Sequence, residues 1–397
     1  MKIAEVRVVL CSPGRNFCTV KVIADNGMYG LGDATLNGRE QAVAAYLTEH
    51  VVPLLPGRDP FDIEDTWQCL YRGAYWRRGP ITMAAISAVD VALWDLKGKA
   101  LTTPVYNLLG GRTRQRLQTY GHAWGPDLER TVAAVRASIE QGHRAVRVQF
   151  AVPGLPEAYR PLESIADASH PPEETWSTQE YLAYAPEVFA RVRAAVGGQV
   201  ALLHDAHQRL TPTEAAWLGK QIESYNLLWL EDPIRVEHQD SFRIIRQQTA
   251  TPLAVGETFN SVYDCSTLIQ EQLIDYLRMS TAHGGGLSHL IKVAAFADIY
   301  NIRIACHSPS DVSPISVAAA VHLGTAIPNF GLQEHVSYPD AVAEVFRHSY
   351  RYGGGWLTTT DDPGLGVDFD EAAATRYPYQ RAYLPVTRKA DGSMFDW

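Results

Sequence analysis

Three short apolar runs end in a carboxylate at one repeated step: VALLHD closes on Asp205, LLWLE on Glu231 and PLAVGE on Glu257, each 26 residues beyond the last. That step is the length of one strand plus one returning helix, and successive units of this kind stack their strands into a parallel sheet. The same pattern continues on both sides. RLQTYGHA (116–123) and RAVRVQF (144–150) come before the three, while IDYLRMS (274–280), IRIACH (302–307) and FGLQEH (330–335) come after. Eight strands are the number that closes a parallel barrel.

The chain ahead of these strands follows other periods. Its first 35 residues alternate through Ile3, Val6, Val8 and Leu10, then Cys18, Val20 and Val22, and a turn at 24–28, which predicts an antiparallel meander. From Gly38 to about Leu109 the period is helical, clearest in TMAAISAVDVALWDLKGKA, where Ile86, Val89, Leu93 and Leu96 share one face. Asp90 and Asp95 interrupt that apolar helix and read as structural hydrogen-bonding residues. The stretch 151–180 carries five prolines and little periodicity. A loop of that length is read as a lid over the barrel mouth. From 336 onward the sequence is irregular and rich in Gly and aromatic residues, as expected of a tail that packs back on the first module.

Composition narrows the function. With 46% hydrophobic and 20% charged residues, the 397-residue chain can bury a large core. A formal charge of −9 repels a phosphate backbone, so no nucleic-acid partner is expected. The five cysteines form no C-x-x-C pair, which argues against a disulfide framework or a thiolate zinc site and for a reducing cytoplasm. No run of about 18 apolar residues is present, so neither membrane span nor leader is expected. GGRTRQ and HGGGLSH lack the spacing of nucleotide-binding loops, and neither G-x-S-x-G nor H-E-x-x-H occurs.

Barrel enzymes place their chemistry at the C-terminal ends of the strands. Asp205, Glu231 and Glu257 would converge there, and three carboxylates brought together call for a cation; an all-oxygen set suits magnesium, with manganese as the alternative. The competing reading is three independent acids, each solvated or salt-bridged. The two-residue strand period puts Arg147 with Gln149, and Asp205 with His207, on common faces. Arg278, His307 and Glu334 would complete the ring. YRGAYWRRG (71–79) is read as a cap loop bringing arginines near an anionic substrate, with a solvated turn as the equal alternative.

Several motifs together, AISAVDVALWDLKGKA (85–100), PVYNLLGG (104–111), HDAH (204–207), WLEDP (229–233), GETF (256–259), HGGG (283–286), CHSPSDVSP (306–314) and the terminal DGSMFDW, give the chain a resemblance to the enolase superfamily. Arg147, Tyr159 and HDAH, with the long loop after the second strand, narrow this to the mannonate dehydratase group. The resemblance implies an α/β fold, a (β/α)7β TIM-like barrel with an α+β capping domain. It divides the chain into a cap over 1–112, a barrel over 113–335 with the lid at 151–180, and a segment 336–397 returning to the cap and active site. It further implies Mg2+ on Asp205, Glu231 and Glu257, Tyr159 as a base activated by Arg147, and His207 as the acid. Substrate contacts would come from Asn37, His122, Arg278, His307, Asp311, Glu334 and Trp397. Two departures from the superfamily's commoner pattern stand out: the second strand ends in Arg-Val-Gln rather than paired lysines, and no acid on the sixth strand is placed to orient His307.

The implied activity is that of a hydro-lyase. D-mannonate would lose its C2 proton to give an enediolate, then water, leaving 2-keto-3-deoxy-D-gluconate. D-gluconate, alone or as a second substrate, is the near alternative, with His207 then the natural base. A sugar-acid-binding or regulatory protein with little turnover is the alternative from another class. The group's members tend to be homo-oligomers.

Overall fold

The computed structural model describes residues 1–155, 158–159 and 170–396. The alternating N-terminal sequence forms β1 (Ile3–Cys11), β2 (Phe17–Ala24) and β3 (Tyr29–Asp33) in one antiparallel sheet. Helices α1 (Glu40–Tyr46), α2 (Ile63–Arg72) and α3 (Pro80–Ala100) follow. β3 rests directly on the backbone of α3. A Cβ added at Gly30 would lie 1.9 Å from the Ala92 carbonyl oxygen, and one at Gly32 would lie 1.8 Å from that of Ala88. Only glycine permits this approach. Val20, Val22, Leu47, Leu70, Met83 and Leu93 fill the core of this layer.

After the short α4 (Val105–Leu108) the eight expected strands appear, each within its expected range or within two residues of it: β4 (Leu117–Gly125), β5 (Ala145–Phe150), β7 (Ala201–Asp205), β8 (Trp229–Glu231), β9 (Leu253–Val255), β10 (Tyr276–Leu277), β11 (Arg303–Ile304) and β12 (Gln333–Glu334). The intervening β6 (Glu173–Trp176) belongs to the lid. Neighbours pair in parallel from β4 through β11, β12 pairs with β4, and a bridge between Ile304 and Phe330 closes the ring. Seven crossover helices surround it: α5 (Leu128–Glu140), α6 (Thr178–Val196), α7 (Pro212–Ile222), α8 (Phe242–Gln248), α9 (Ser266–Gln270), α10 (Gly286–Ile299) and α11 (Pro314–Ala326). The result is a (β/α)7β barrel with an α+β layer before it.

One residue from each strand or its immediate flank plugs the barrel: Tyr120, Ala145, Leu203, Trp229, Ala254, Tyr276, Ala305 and Leu332. Large side chains alternate in part with alanine, which lets the layer fill a narrow interior without voids. This plug fixes what lies above it, because the next inward position on a strand is two residues on.

The two parts are hydrogen-bonded at the HGGG turn. Asp90 accepts from the Ser288 amide at 3.0 Å, Ser87 Oγ accepts from the Gly285 amide at 2.8 Å, and Trp67 donates its indole N–H to the Gly285 carbonyl at 2.8 Å. Asp95 accepts from the amides of Leu31 and Leu365 at 2.9 and 2.8 Å. Both aspartates thus hold structure, as expected. The tail does pack on the N-terminal sheet, where Glu371 meets Lys21 at 2.6 Å and Arg7 at 3.2 Å. It also reaches further: residues 356–358 pair antiparallel with β4, and 386–389 pair with β6. No described helix is long and apolar enough to cross a membrane.

Candidate active site

Two residues above the plug lie His122, Arg147, Asp205, Glu231, Gly256, Arg278, His307 and Glu334, one for each plug residue. Strand geometry therefore gathers seven of the expected site residues at one depth. Glu257 departs by one position. Gly256 takes the inward slot at φ +127°, a conformation that disfavours any side chain, and its backbone turn brings the Glu257 carboxylate round to the site.

Carboxylate oxygens of Asp205, Glu231 and Glu257 lie within 4.8 Å of one another. Asp205 and Glu231 are fully buried. Oε1 of Glu231 and Oε2 of Glu257 are buried and make no hydrogen bond of good geometry among the described residues, although Arg278 Nε lies 2.5 Å from the first and His307 Nε2 3.4 Å from the second. Burial and the neighbouring negative charges push the Glu231 and Glu257 acids up to about 7. Asp205 goes the other way. Burial opposes ionisation there, but His207 and Arg147 hold its carboxyl below the usual range. Converging oxygen donors with orphaned lone pairs fit a hard divalent cation such as magnesium.

Cationic and imidazole groups surround this floor. Arg147 Nη1 lies 3.1 Å from Asp205 Oδ2 and 3.9 Å from oxygens of both Glu231 and Glu334. Arg278, fully buried, pairs through Nε with Glu231 at 2.5 Å and through Nη2 with Glu334 at 2.9 Å. Glu334 also accepts from the Ser308 amide at 2.9 Å and faces His122 Nε2 at 3.3 Å. Burial, with Arg147 nearby, pushes His122 down to about 4, so it is neutral at pH 7. His307 Nε2 is 3.4 Å from Glu257, and its Nδ1 has no hydrogen-bond partner among the described residues, in keeping with the missing acid on the sixth strand.

His207 reaches the site by a different route from the expected one. The strand ends at Asp205, and His207 stands at φ +48° in the turn that follows, with Nε2 2.7 Å from Asp205 Oδ2. Tyr159, also left-handed at φ +57°, sets its ring 5.7 Å from the His207 ring. Non-glycine residues held in that region cost strain and concentrate at functional sites. The guanidinium against the Tyr159 ring is that of Arg209, 4.7 Å from its centroid, whereas Arg147 spends its Nη1 on carboxylates. Burial pushes the Tyr159 phenol above its usual range, and Arg209 is the largest influence against that.

A cavity of about 320 Å3 joins these groups; its walls include His122, Arg147, Tyr159, His207, Glu257 and His307. Asp311 also lines it and accepts a hydrogen bond from Asn37 Nδ2 at 3.0 Å, so a cap residue and a barrel residue meet at the rim. Trp397 lies outside the described residues. Sequence reasoning missed Arg15, Trp124, Glu174 and Arg209, which also line the cavity. Gln149, another wall residue, was visible through its shared face with Arg147, and its amide donates to the Asp205 carbonyl at 3.1 Å. The cap loop 71–79 is not among the lining residues. Arg78 pairs instead with Asp264 beyond β9, and Arg77 packs over the Tyr71 ring, leaving Tyr75 and Trp76 exposed.

Known proteins resemble this chain over its whole length. Residues 10–110 match the mandelate racemase / muconate lactonizing enzyme N-terminal domain, and residues 130–373 match the enolase C-terminal domain-like family. A D-galactonate dehydratase family member of Chromohalobacter salexigens is 53% identical, with 100% of both chains covered. A D-mannonate dehydratase of Sphingomonas sp. (strain SKA58) is 52% identical, again with 100% of both covered. Among solved structures, an enolase from Pantoea ananatis with bound D-gluconate and Mg superposes with a TM-score of 0.93 at 36% identity, covering 100% of each chain.

Proposed function

This chain belongs to the enolase superfamily, and we propose that it is a magnesium-dependent sugar-acid dehydratase that converts D-mannonate to 2-keto-3-deoxy-D-gluconate and water. The observation that carries the reading is the cavity in which the Tyr159 ring, the His207 imidazole and Glu257 meet, Glu257 being one of three carboxylates whose oxygens lie within 4.8 Å of one another. The names of the relatives at 52–53% identity and the gluconate and magnesium bound by the Pantoea protein support it.

In this reading Asp205, Glu231 and Glu257 hold the cation. When bound, it supplies positive charge that stabilises the negative charge developing on the substrate's carboxylate as the C2 proton leaves. The chain's own residues do the rest. Tyr159 takes the C2 proton as its phenolate, a form that nearby positive charge favours: the Arg209 guanidinium over its ring and, as the resemblance assigns, Arg147. Arg147, wedged among Asp205, Glu231 and Glu334, adds a fixed positive charge beside the carboxylate-binding floor. His207 donates a proton to the departing 3-hydroxyl, which would otherwise leave as hydroxide. Its contact with Asp205 fixes the ring. Asn37, His122, Arg278, His307, Asp311, Glu334 and Trp397 are assigned to holding the sugar acid, with Arg278 acting through the two glutamates it pairs.

D-gluconate is the second reading, favoured by the ligand in the Pantoea structure. It differs from D-mannonate only at C2, so its proton points to the opposite face and His207 becomes the base. The cap at 1–112, the barrel at 113–335, the return of 336–397, a homo-oligomeric state and a cytoplasmic location belong to the same proposal. Mass spectrometry of the purified protein with Mg2+ and a panel of hexonates and pentonates, with and without EDTA, tests it. Metal-dependent loss of water from D-mannonate is expected. Loss from D-gluconate alone would replace the substrate, and no loss from any acid with metal bound would favour a binding protein.

A further inference from the structure

Arg209 is a buried cation with no counter-charge among the described residues. Only 4% of its surface is exposed, and among the described residues its Nε and Nη1 have no hydrogen-bond partner and no carboxylate lies within ion-pair distance of it. Burying a guanidinium this way is costly unless something offsets it. What surrounds it is aromatic. Its guanidinium carbon lies 4.7 Å from the Tyr159 ring centroid and 4.5 Å from that of Trp176, and the two rings meet edge to face at 5.8 Å. A desolvated guanidinium over a ring face is attracted by the ring's negative face, and more strongly so away from water. The guanidinium carbon sits in the corner between two nearly perpendicular rings, over both of them, so its position is tied to the angle between the rings.

Two of the three residues come from the lid and one from the turn after β7. Arg209 follows the left-handed turn through His207 and Gln208, at φ +48° and +61°. Tyr159 sits in the lid after β5. Trp176 ends β6, which the tail strand 386–389 pairs in parallel, and its ring stacks 6.5 Å from Phe395. One cation therefore ties the turn that carries the metal ligand and the acid to the lid that carries the phenol.

We propose that Arg209 is a positioning residue for the dehydration: clamped between Tyr159 and Trp176, it holds the Tyr159 ring at the angle from which its oxygen reaches the C2 proton, and couples that angle to seating of β6. The inference rests on the sugar-acid dehydratase reading for its chemistry but not for its geometry. A misplacement of about 1 Å in a reacting group costs on the order of 100-fold in rate.

Two measurements separate the outcomes. Arg209→Met keeps length and apolar volume, and Arg209→Lys keeps the charge without the planar face. For the acid that the wild type dehydrates, Arg209→Met should lower kcat by about 10- to 100-fold with KM within about twofold, and raise the isotope effect with C2-deuterated substrate. Arg209→Lys should recover less than about a tenth of the lost rate. A kcat within twofold of wild type, or a loss wholly in KM with an unchanged isotope effect, overturns the positioning role. Hydrogen exchange followed by mass spectrometry needs no turnover: peptides containing Tyr159 and Trp176 should exchange about 10-fold faster in Arg209→Met, and in Trp176→Phe to a smaller degree, while barrel peptides stay as they were. If the wild type dehydrates nothing, the functional reading fails by itself. Unchanged exchange at Tyr159 and Trp176 would then sink the clamp independently.

Discussion

Trp229 donates its indole N–H to Oε2 of Glu231 at 2.9 Å. The two stand two residues apart on β8, one in the apolar plug and the other in the carboxylate floor. The layer that fills the barrel thus aims a ligand in the layer above it. Groups that orient a metal ligand typically contribute 10- to 100-fold in metal affinity. Trp229→Phe should weaken Mg2+ binding by about that factor while the barrel still folds, as read by titration calorimetry. An affinity within twofold of wild type would mean that Arg278 alone orients Glu231.

Tyr159→Phe removes one oxygen from a buried ring that Arg209 and Trp176 already hold. Packing should be unaffected, and Mg2+ should bind as before. Loss of a general base typically costs about 100- to 10,000-fold. Keto-acid formation from D-mannonate should fall by that order in the variant. Retained turnover on D-gluconate in the same protein would assign the second substrate's proton to His207.

The cap sheet rests on α3 through two glycines, Gly30 and Gly32. A Cβ at residue 32 would stand 1.8 Å from the Ala88 carbonyl oxygen, and the nearest atoms are helix backbone that has nowhere to go. Gly32→Ala should therefore cost more than the roughly 1–3 kcal/mol usual for overpacking. Chemical denaturation should show a lowered midpoint, and limited proteolysis should cut first within 1–112. A midpoint equal to wild type would mean that β3 can lift from α3 without loss.

Much of this was written in local sequence. Asp205, Glu231 and Glu334 stand at strand ends that a period of two and a step of 26 or 27 residues pick out in the sequence. What local sequence hid depends on contacts across the fold. Asn37 and Asp311 are 274 positions apart, and nothing near either shows that they meet. Arg209 lies past the end of β7, where the strand period no longer says which way a side chain points. His207, which a two-residue strand period places on the face of Asp205, is delivered instead by a left-handed turn past the strand end. Arg78 looked available for an anion until the fold supplied Asp264.

His322 supplies a pH dependence away from the site. Its Nδ1 accepts the Tyr106 amide N–H at 3.1 Å, so the ring must keep that lone pair. Its Nε2 faces the Leu365 carbonyl and Thr359 Oγ1, both at 3.3 Å. Protonation would set one N–H against another at the start of α4. Burial accordingly pushes the group down to about 4, against about 6.5 in an unfolded chain. Between those values the unfolded chain binds the proton and the folded one does not, so stability is full above about pH 6.5 and is lost as pH falls toward 4. The slope from this residue alone is about 1.4 kcal/mol per pH unit, about 3 kcal/mol over the window. His322→Gln keeps an acceptor for Tyr106 but cannot titrate. Denaturation of both proteins from pH 8 to pH 4 should show the wild type losing stability more steeply by that amount, with the curves running parallel above pH 7. Parallel curves throughout would mean that His322 takes up its proton in the folded protein as readily as in the unfolded one.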